Sequence, residues 1–139
     1  MVNFITDREN SAAELYDMAT EASVNAYAPF SGFKVGAALL DENGRIFTGV
    51  NIENSSFGAT ICAERTAFVK AISEGSRRFT AIAVAAESQE AIPCGICRQF
   101  MFEFSPDILI ITGENRRELN IRTLEELLPI GFRLQEGRQ

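Results

Sequence analysis

Phe79-Thr80-Ala81-Ile82-Ala83-Val84-Ala85-Ala86 is a run of eight residues with one hydroxyl and no charge. It is far shorter than the roughly 20 residues a helix needs to cross a bilayer. It also lacks the polar alternation of a strand with one wet face. A run of this kind reads as a strand covered on both sides, so helices must lie on two faces of whatever sheet it joins.

The flanking sequence supplies those helices. A first helix is expected over residues 7–26, capped by Thr6 or Asp7, with Leu15, Met18, Ala19 and Ala22 as its apolar stripe. The segment Tyr27-Ala28-Pro29-Phe30-Ser31-Gly32 breaks it. Strands over 34–40 and 45–50 follow, joined by Asp41-Glu42-Asn43-Gly44, a strong hairpin signal. After a loop over 51–60, a helix over 62–73 is stopped by Gly75. The apolar run comes next, then a loop with Pro93, a helix over 95–104 and a buried strand over 108–112. Thr123 and Glu126 form a capping box for a last helix over 123–128. This order predicts an α/β fold: a three-layer α-β-α sandwich around a mixed sheet, antiparallel at the hairpin and parallel afterwards. With 139 residues and no linker, repeat or low-complexity tract, a single domain over 1–139 is expected.

The chain has three cysteines and no histidine, in Cys62-Ala63-Glu64 and Pro93-Cys94-Gly95-Ile96-Cys97. A Cys-x-x-Cys pair by itself fits a dithiol redox couple or half of a four-ligand structural zinc site. The redox reading leaves Cys62 and Glu64 without a role, and the structural reading wants a fourth Cys or His that the chain lacks. Three thiolates and an acid suit an open, catalytic zinc site with one Zn²⁺ per chain. Both motifs fall at helix starts, where the helix dipole favours thiolate over thiol.

With no histidine present, Glu64 is the natural group to move protons to and from a water whose pKa zinc brings to about 7. Three thiolates leave Zn²⁺ with a net negative charge and weaken it as a Lewis acid. Arg65, next to Glu64, and Arg98, next to Cys97, are therefore expected to donate hydrogen bonds to thiolate sulfur or to supply positive field.

Four stretches, taken together, resemble the cytidine deaminase family in its short homotetrameric form. They are Pro29-Phe30-Ser31-Gly32-Phe33-Lys34-Val35-Gly36-Ala37-Ala38-Leu39, Asn51-Ile52-Glu53-Asn54, Cys62-Ala63-Glu64-Arg65-Thr66-Ala67 and Pro93-Cys94-Gly95-Ile96-Cys97-Arg98-Gln99. The ending from Glu125 to Phe132 is similar as well. The resemblance implies zinc on Cys62, Cys94 and Cys97, Glu64 as proton shuttle, and hydrolysis of cytidine and 2'-deoxycytidine to the uridines in pyrimidine salvage. It further implies Asn51 and Glu53 on the sugar hydroxyls, Phe33 packed on the pyrimidine and the backbone at Ala63 and Pro93 reading the base edge. Phe132 would stack on the pyrimidine from a neighbouring subunit of a homotetramer, with the sites near subunit interfaces. Phe30 and Phe57 stand where tyrosine is common in the family, so phenol-mediated contacts are not expected.

A formal charge of -6 opposes binding to nucleic acid, which rests on Lys and Arg neutralising phosphates. A free nucleoside is the expected partner, and a membrane is not. No signal peptide is evident, and cysteines used as ligands point to a reducing, cytoplasmic setting. Two rivals stay open: a deaminase of another cytosine nucleoside such as blasticidin S, and a non-catalytic zinc or redox module.

Overall fold

The apolar run forms β3 (Phe79–Ala86), the middle strand of a five-stranded sheet ordered β2-β1-β3-β4-β5 in the computed structural model, which describes residues 2–135. The single domain expected over 1–139 therefore extends beyond the described residues at both ends. The other strands are β1 (Val35–Asp41), β2 (Ile46–Val50), β4 (Leu109–Gly113) and β5 (Leu119–Thr123).

One face of the sheet, including Ala38, Leu40, Ala81, Ala83 and Ile111, packs under α1 (Arg8–Ser23) through Ala12, Leu15, Tyr16 and Ala19. The opposite face, with Ala37, Leu39, Ile82, Val84 and Ile110, packs under α2 (Ala63–Ser73) and α3 (Gly95–Phe104). Three layers result, as the two-sided burial of β3 requires. Small residues let the layers close up. A Cβ on Gly36 would stand 2.0 Å from the Ala19 carbonyl oxygen, and one on Gly49 would stand 2.4 Å from the Ala67 nitrogen. Phe68 of α2 fills the space between helices and sheet, edge-on to Phe79 with 4.8 Å between ring centres.

The sheet is mixed, with a different balance from that expected. Only β3 and β4 run parallel, and α3 provides the crossover that a parallel pair needs. β1 is antiparallel to both β2 and β3. The edge strand β5, antiparallel to β4, is an addition to the expected order. Its pattern Leu119-Asn120-Ile121-Arg122-Thr123 is that of a half-exposed edge, too short and too polar to stand out between Arg117 and the last helix.

Boundaries otherwise shift little. The first helix starts on its Asp7 cap but ends at Ser23, not at residue 26. There the chain turns to pair with the segment after β2: the Tyr27 nitrogen donates to the Asn51 carbonyl and the Glu53 nitrogen to the Tyr27 carbonyl. Met18 and Ala22 of the expected stripe are half-buried, while Ser11, Ala12 and Tyr16 join Leu15 and Ala19 inside. The hairpin turns through Gly44 at φ 86, around a buried Asp41 that accepts from Arg45 Nε at 3.0 Å and Ser76 Oγ at 2.7 Å. α4 (Leu124–Leu127) carries the full capping box of Thr123 and Glu126. No helix among the described residues is long and apolar enough to cross a membrane.

Candidate metal centre and its cleft

Cys62 and Cys94 occupy the same local position, the extended residue just before α2 and just before α3. Neither uses its side chain to cap its helix, so both sulfurs stay free to converge. Cys97 lies one turn inside α3 and is fully buried. The three Sγ atoms all lie within 4.8 Å of one another, with Cys62 and Cys94 4.0 Å apart. This set of soft donors suits zinc.

One of the sulfurs, Cys62, is already biased toward charge. Cys62 is pulled down to about 5, chiefly by a hydrogen bond from Cys97, with Arg65 and Cys94 acting the same way. Cys97 moves up, because it shares its proton with Cys62 and is buried. One thiolate thus forms without a cation, and a bound cation would displace the remaining thiol protons.

Arg65 Nη2 points at Cys62 Sγ at 3.7 Å. Its Nε is buried without a hydrogen-bond partner among the described residues, an unused donor beside a cluster that gains negative charge as its thiols deprotonate. Arg98 does otherwise. Its Nε donates to the Pro93 carbonyl at 2.8 Å and its Nη1 to the Leu127 carbonyl at 2.7 Å, so the expected sulfur contact is replaced by two backbone ties. Helix phase does not separate the two, since Arg65 follows Cys62 by three residues and Arg98 follows Cys94 by four. Arg98 is drawn away from sulfur by the two carbonyls within its reach, those of Pro93 and Leu127.

Glu64, in the first turn of α2, is 4% exposed and lines the same cleft as Cys62 and Cys94. Burial raises its pKa to about 7, and the nearby Cys62 charge adds to the rise. A carboxyl balanced in this way can both accept and release a proton at neutral pH.

The cleft has a volume of about 360 Å³, within the usual range for small-molecule sites. Phe33, Asn51, Glu53 and Ala63 all line it. Asn51 and Glu53 also organise the loop that carries Phe33. Asn51 Oδ1 accepts from the Val35 nitrogen at 2.9 Å while its Nδ2 donates to the Phe33 carbonyl at 2.7 Å. Glu53 accepts from the Phe30 nitrogen at 2.9 Å, the Ser31 nitrogen at 3.1 Å and the Ser31 hydroxyl. The Ser31 hydroxyl is the main cause of a lowered Glu53 pKa. Phe132 is not among the lining residues. It stays 64% exposed, held at its backbone by Gln99. Phe30 and Phe57 meet edge to face, 6.2 Å between centroids, and both are exposed.

Sequence reasoning missed the opposite wall. Gln89, Glu90, Ala91 and Ile92 line the cleft from the connection between β3 and α3. Their sequence carries no recognisable motif, and Glu90 is placed by partners on distant strands. Among the lining residues Glu53, Glu64 and Glu90 are acidic and none is Lys or Arg.

A family model for the cytidine and deoxycytidylate deaminase zinc-binding region matches residues 9–112. The cytidine deaminase of Halalkalibacterium halodurans is 47% identical over 120 residues, covering 85% of this chain and 91% of that protein. The crystal structure of cytidine deaminase from Burkholderia pseudomallei superposes with a TM-score of 0.81 at 41% identity, covering 86% of this chain and 97% of the other. A blasticidin-S deaminase from Bacillus cereus is more distant, 31% identical over 128 residues, 86% of this chain and 90% of that protein.

Proposed function

The chain belongs to the cytidine deaminase family, and from that premise we propose that it hydrolyses cytidine and 2'-deoxycytidine to uridine and 2'-deoxyuridine, releasing ammonia. The observation that carries this reading is the convergence of three sulfurs within 4.8 Å on a cleft that also holds a buried carboxyl. The chemistry zinc supplies, once held by Cys62, Cys94 and Cys97, is Lewis acidity that makes water a nucleophile at neutral pH.

The protein's own groups do the rest. Glu64 takes a proton from the attacking water and passes it to the ring nitrogen N3, then takes a second from the new C4 hydroxyl and gives it to the amine as it leaves C4. Its burial beside the sulfurs, which penalises the ionised form, suits it to hold a proton between the two transfers. Phe33 packs on the pyrimidine, Asn51 and Glu53 bind the sugar hydroxyls, and the Ala63 backbone reads the base edge. Arg65 steadies the anionic sulfurs. Arg98 acts one step further out, by holding the carbonyl of Pro93. Phe132 reaches the site of a neighbouring copy. The exposed Phe30, Phe57, Ile130 and Phe132 support a homotetramer, since they would leave water on assembly.

The acidic lining favours a nucleoside over a nucleotide or nucleic acid, because no Lys or Arg meets a phosphate there. Three cysteines serving as ligands support a reducing, cytoplasmic setting and a place in pyrimidine salvage. The whole of 1–139 acts as one domain.

The test is the absorbance change at the cytosine band when metal-analysed protein meets cytidine. Turnover should fall on chelation and return with zinc. Glu64→Ala should keep its zinc and lose at least about 10²- to 10⁴-fold in rate. Full activity in that variant would overturn the mechanism. Turnover of blasticidin S, but of neither cytidine nor deoxycytidine, would move the assignment to the more distant relative's reaction.

A further inference from the structure

We propose that Glu90 is a positioning residue, whose carboxylate pins the cleft wall from Gln89 to Ile92 against β4 and β5 and so holds that wall in contact with the substrate. The inference rests on the deaminase reading above.

The wall belongs to an irregular connection between Ala86 and Gly95, and it has little local support. A single bridge joins Ala86 to Gln89, and between them Ser88 is held at φ 65, the one non-glycine residue with positive φ among the described residues. Backbone in that region persists only where its surroundings impose it. What imposes it here is the next acidic side chain. Glu90 Oε2 accepts from Thr112 Oγ1 at 2.5 Å and from Asn120 Nδ2 at 2.8 Å. Arg122 Nη1 lies 3.5 Å from the same oxygen and donates to Thr112 Oγ1 at 3.2 Å, which closes the network. Thr112 is fully buried in β4, while Asn120 and Arg122 come from β5. One loop carboxylate is thereby fastened to two strands of the sheet.

Glu90 and Glu64 line the same cleft with opposite characters. Glu64 is desolvated and poised to exchange a proton, whereas Glu90 is surrounded by donors that keep it ionised, Thr112 foremost. Glu90 is thus suited to hold structure. Glu64 sits on α2 with Cys62 just before it, and Cys94 at the end of the connection is tied separately by α3 and by Arg98 at the Pro93 carbonyl, so loss of the knot should weaken contact with the base in the ground state and transition state alike. Such uniform loss appears in KM and spares kcat.

Zinc-loaded wild type, Glu90→Ala and Glu90→Gln are compared on cytidine, and amide hydrogen exchange is followed over residues 87–93. Glu90→Ala should raise KM about tenfold with kcat within about twofold, and exchange in 87–93 should quicken. Glu90→Gln retains an oxygen for Thr112 and Asn120, so it should restore most of both. If Glu90→Ala fails to fold, Asn120→Ala removes one donor at the sheet edge, and a rise in KM of about threefold is expected. An unchanged KM in a zinc-replete variant, or unchanged exchange in 87–93, overturns the proposal. Exchange reads the knot even if the wild type leaves cytidine untouched, an outcome that would sink the functional reading instead.

Discussion

Arg98 Nε donates to the carbonyl oxygen of Pro93 at 2.8 Å, folding the guanidinium back over the approach to Cys94. With Nη1 on the Leu127 carbonyl, the same side chain ties that approach to the end of α4. Cys94 is the most exposed of the three clustered cysteines, so its placement depends on the loop that Arg98 holds. Arg98→Ala should lower zinc affinity by about 10- to 100-fold, the usual scale for groups that orient ligands. Competition with a chromophoric chelator measures it, and an unchanged affinity would show that α3 alone positions Cys94.

Glu64 predicts a pH dependence of stability in the metal-free protein. Its folded pKa of about 7 lies above the reference value of 4.5, so folding favours the protonated form. The associated stability is fully present below the unfolded pKa and is lost as pH rises through the folded one. Glu64→Gln, neutral throughout, escapes that loss. Its advantage over wild type should grow between about pH 5 and about pH 8, to about 3 kcal/mol at most. Urea unfolding of the two metal-free proteins tests this, and parallel pH profiles would mean that Glu64 is well solvated.

Two glycines separate a structural effect from a functional one. A Cβ on Gly49 meets the Ala67 nitrogen at 2.4 Å and the Ala63 oxygen at 2.6 Å, so Gly49→Ala must displace α2, which carries Glu64. A Cβ on Gly36 meets the Ala19 oxygen at 2.0 Å and displaces α1, which carries no site residue. Both substitutions should cost about 1–3 kcal/mol. Only Gly49→Ala should also lower kcat per folded, zinc-loaded molecule. Equal kcat losses in the two would indicate that strain spreads through the whole sheet.

Gln99 holds Phe132 from both sides of its peptide group, donating to its carbonyl at 2.8 Å and accepting from its nitrogen at 3.4 Å. If Phe132 serves the site of a neighbouring copy, then Gln99→Ala and Phe132→Ala should raise KM by similar factors, about three- to tenfold. The double variant should do no worse than the stronger single one, because residues acting through one contact are not additive. Steady-state kinetics of the three variants decides this, and additive effects would separate the two roles.

Much of the fold was legible because local codes announce it. The run in β3, the Asn43-Gly44 turn, the Asp7 cap and the Thr123–Glu126 box each act over a few residues, and their elements stand at or near the expected limits. β5 was missed because an edge strand of five half-exposed residues carries little apolar signal of its own. β3 and β4 pair in parallel as read, and what went unread with β5 is the antiparallel edge, since strand order depends on which edges remain to be paired.

The site divides in the same way. Ligand chemistry belongs to residue type, so three cysteines and one acid in two short motifs pointed from sequence alone to the group that converges on the cleft. Which arginine faces sulfur was decided by the carbonyls of Pro93 and Leu127, which take up Arg98 and leave Arg65 to Cys62. What Asn51 and Glu53 hold was decided by how the loop from Phe30 to Val35 folds over them. Glu90 left no trace in the sequence, because its partners lie 22, 30 and 32 residues away. Chemistry and local conformation are written in neighbouring residues; the far wall of the cleft exists only once the strands have paired, since that pairing alone brings Thr112, Asn120 and Arg122 to a single carboxylate.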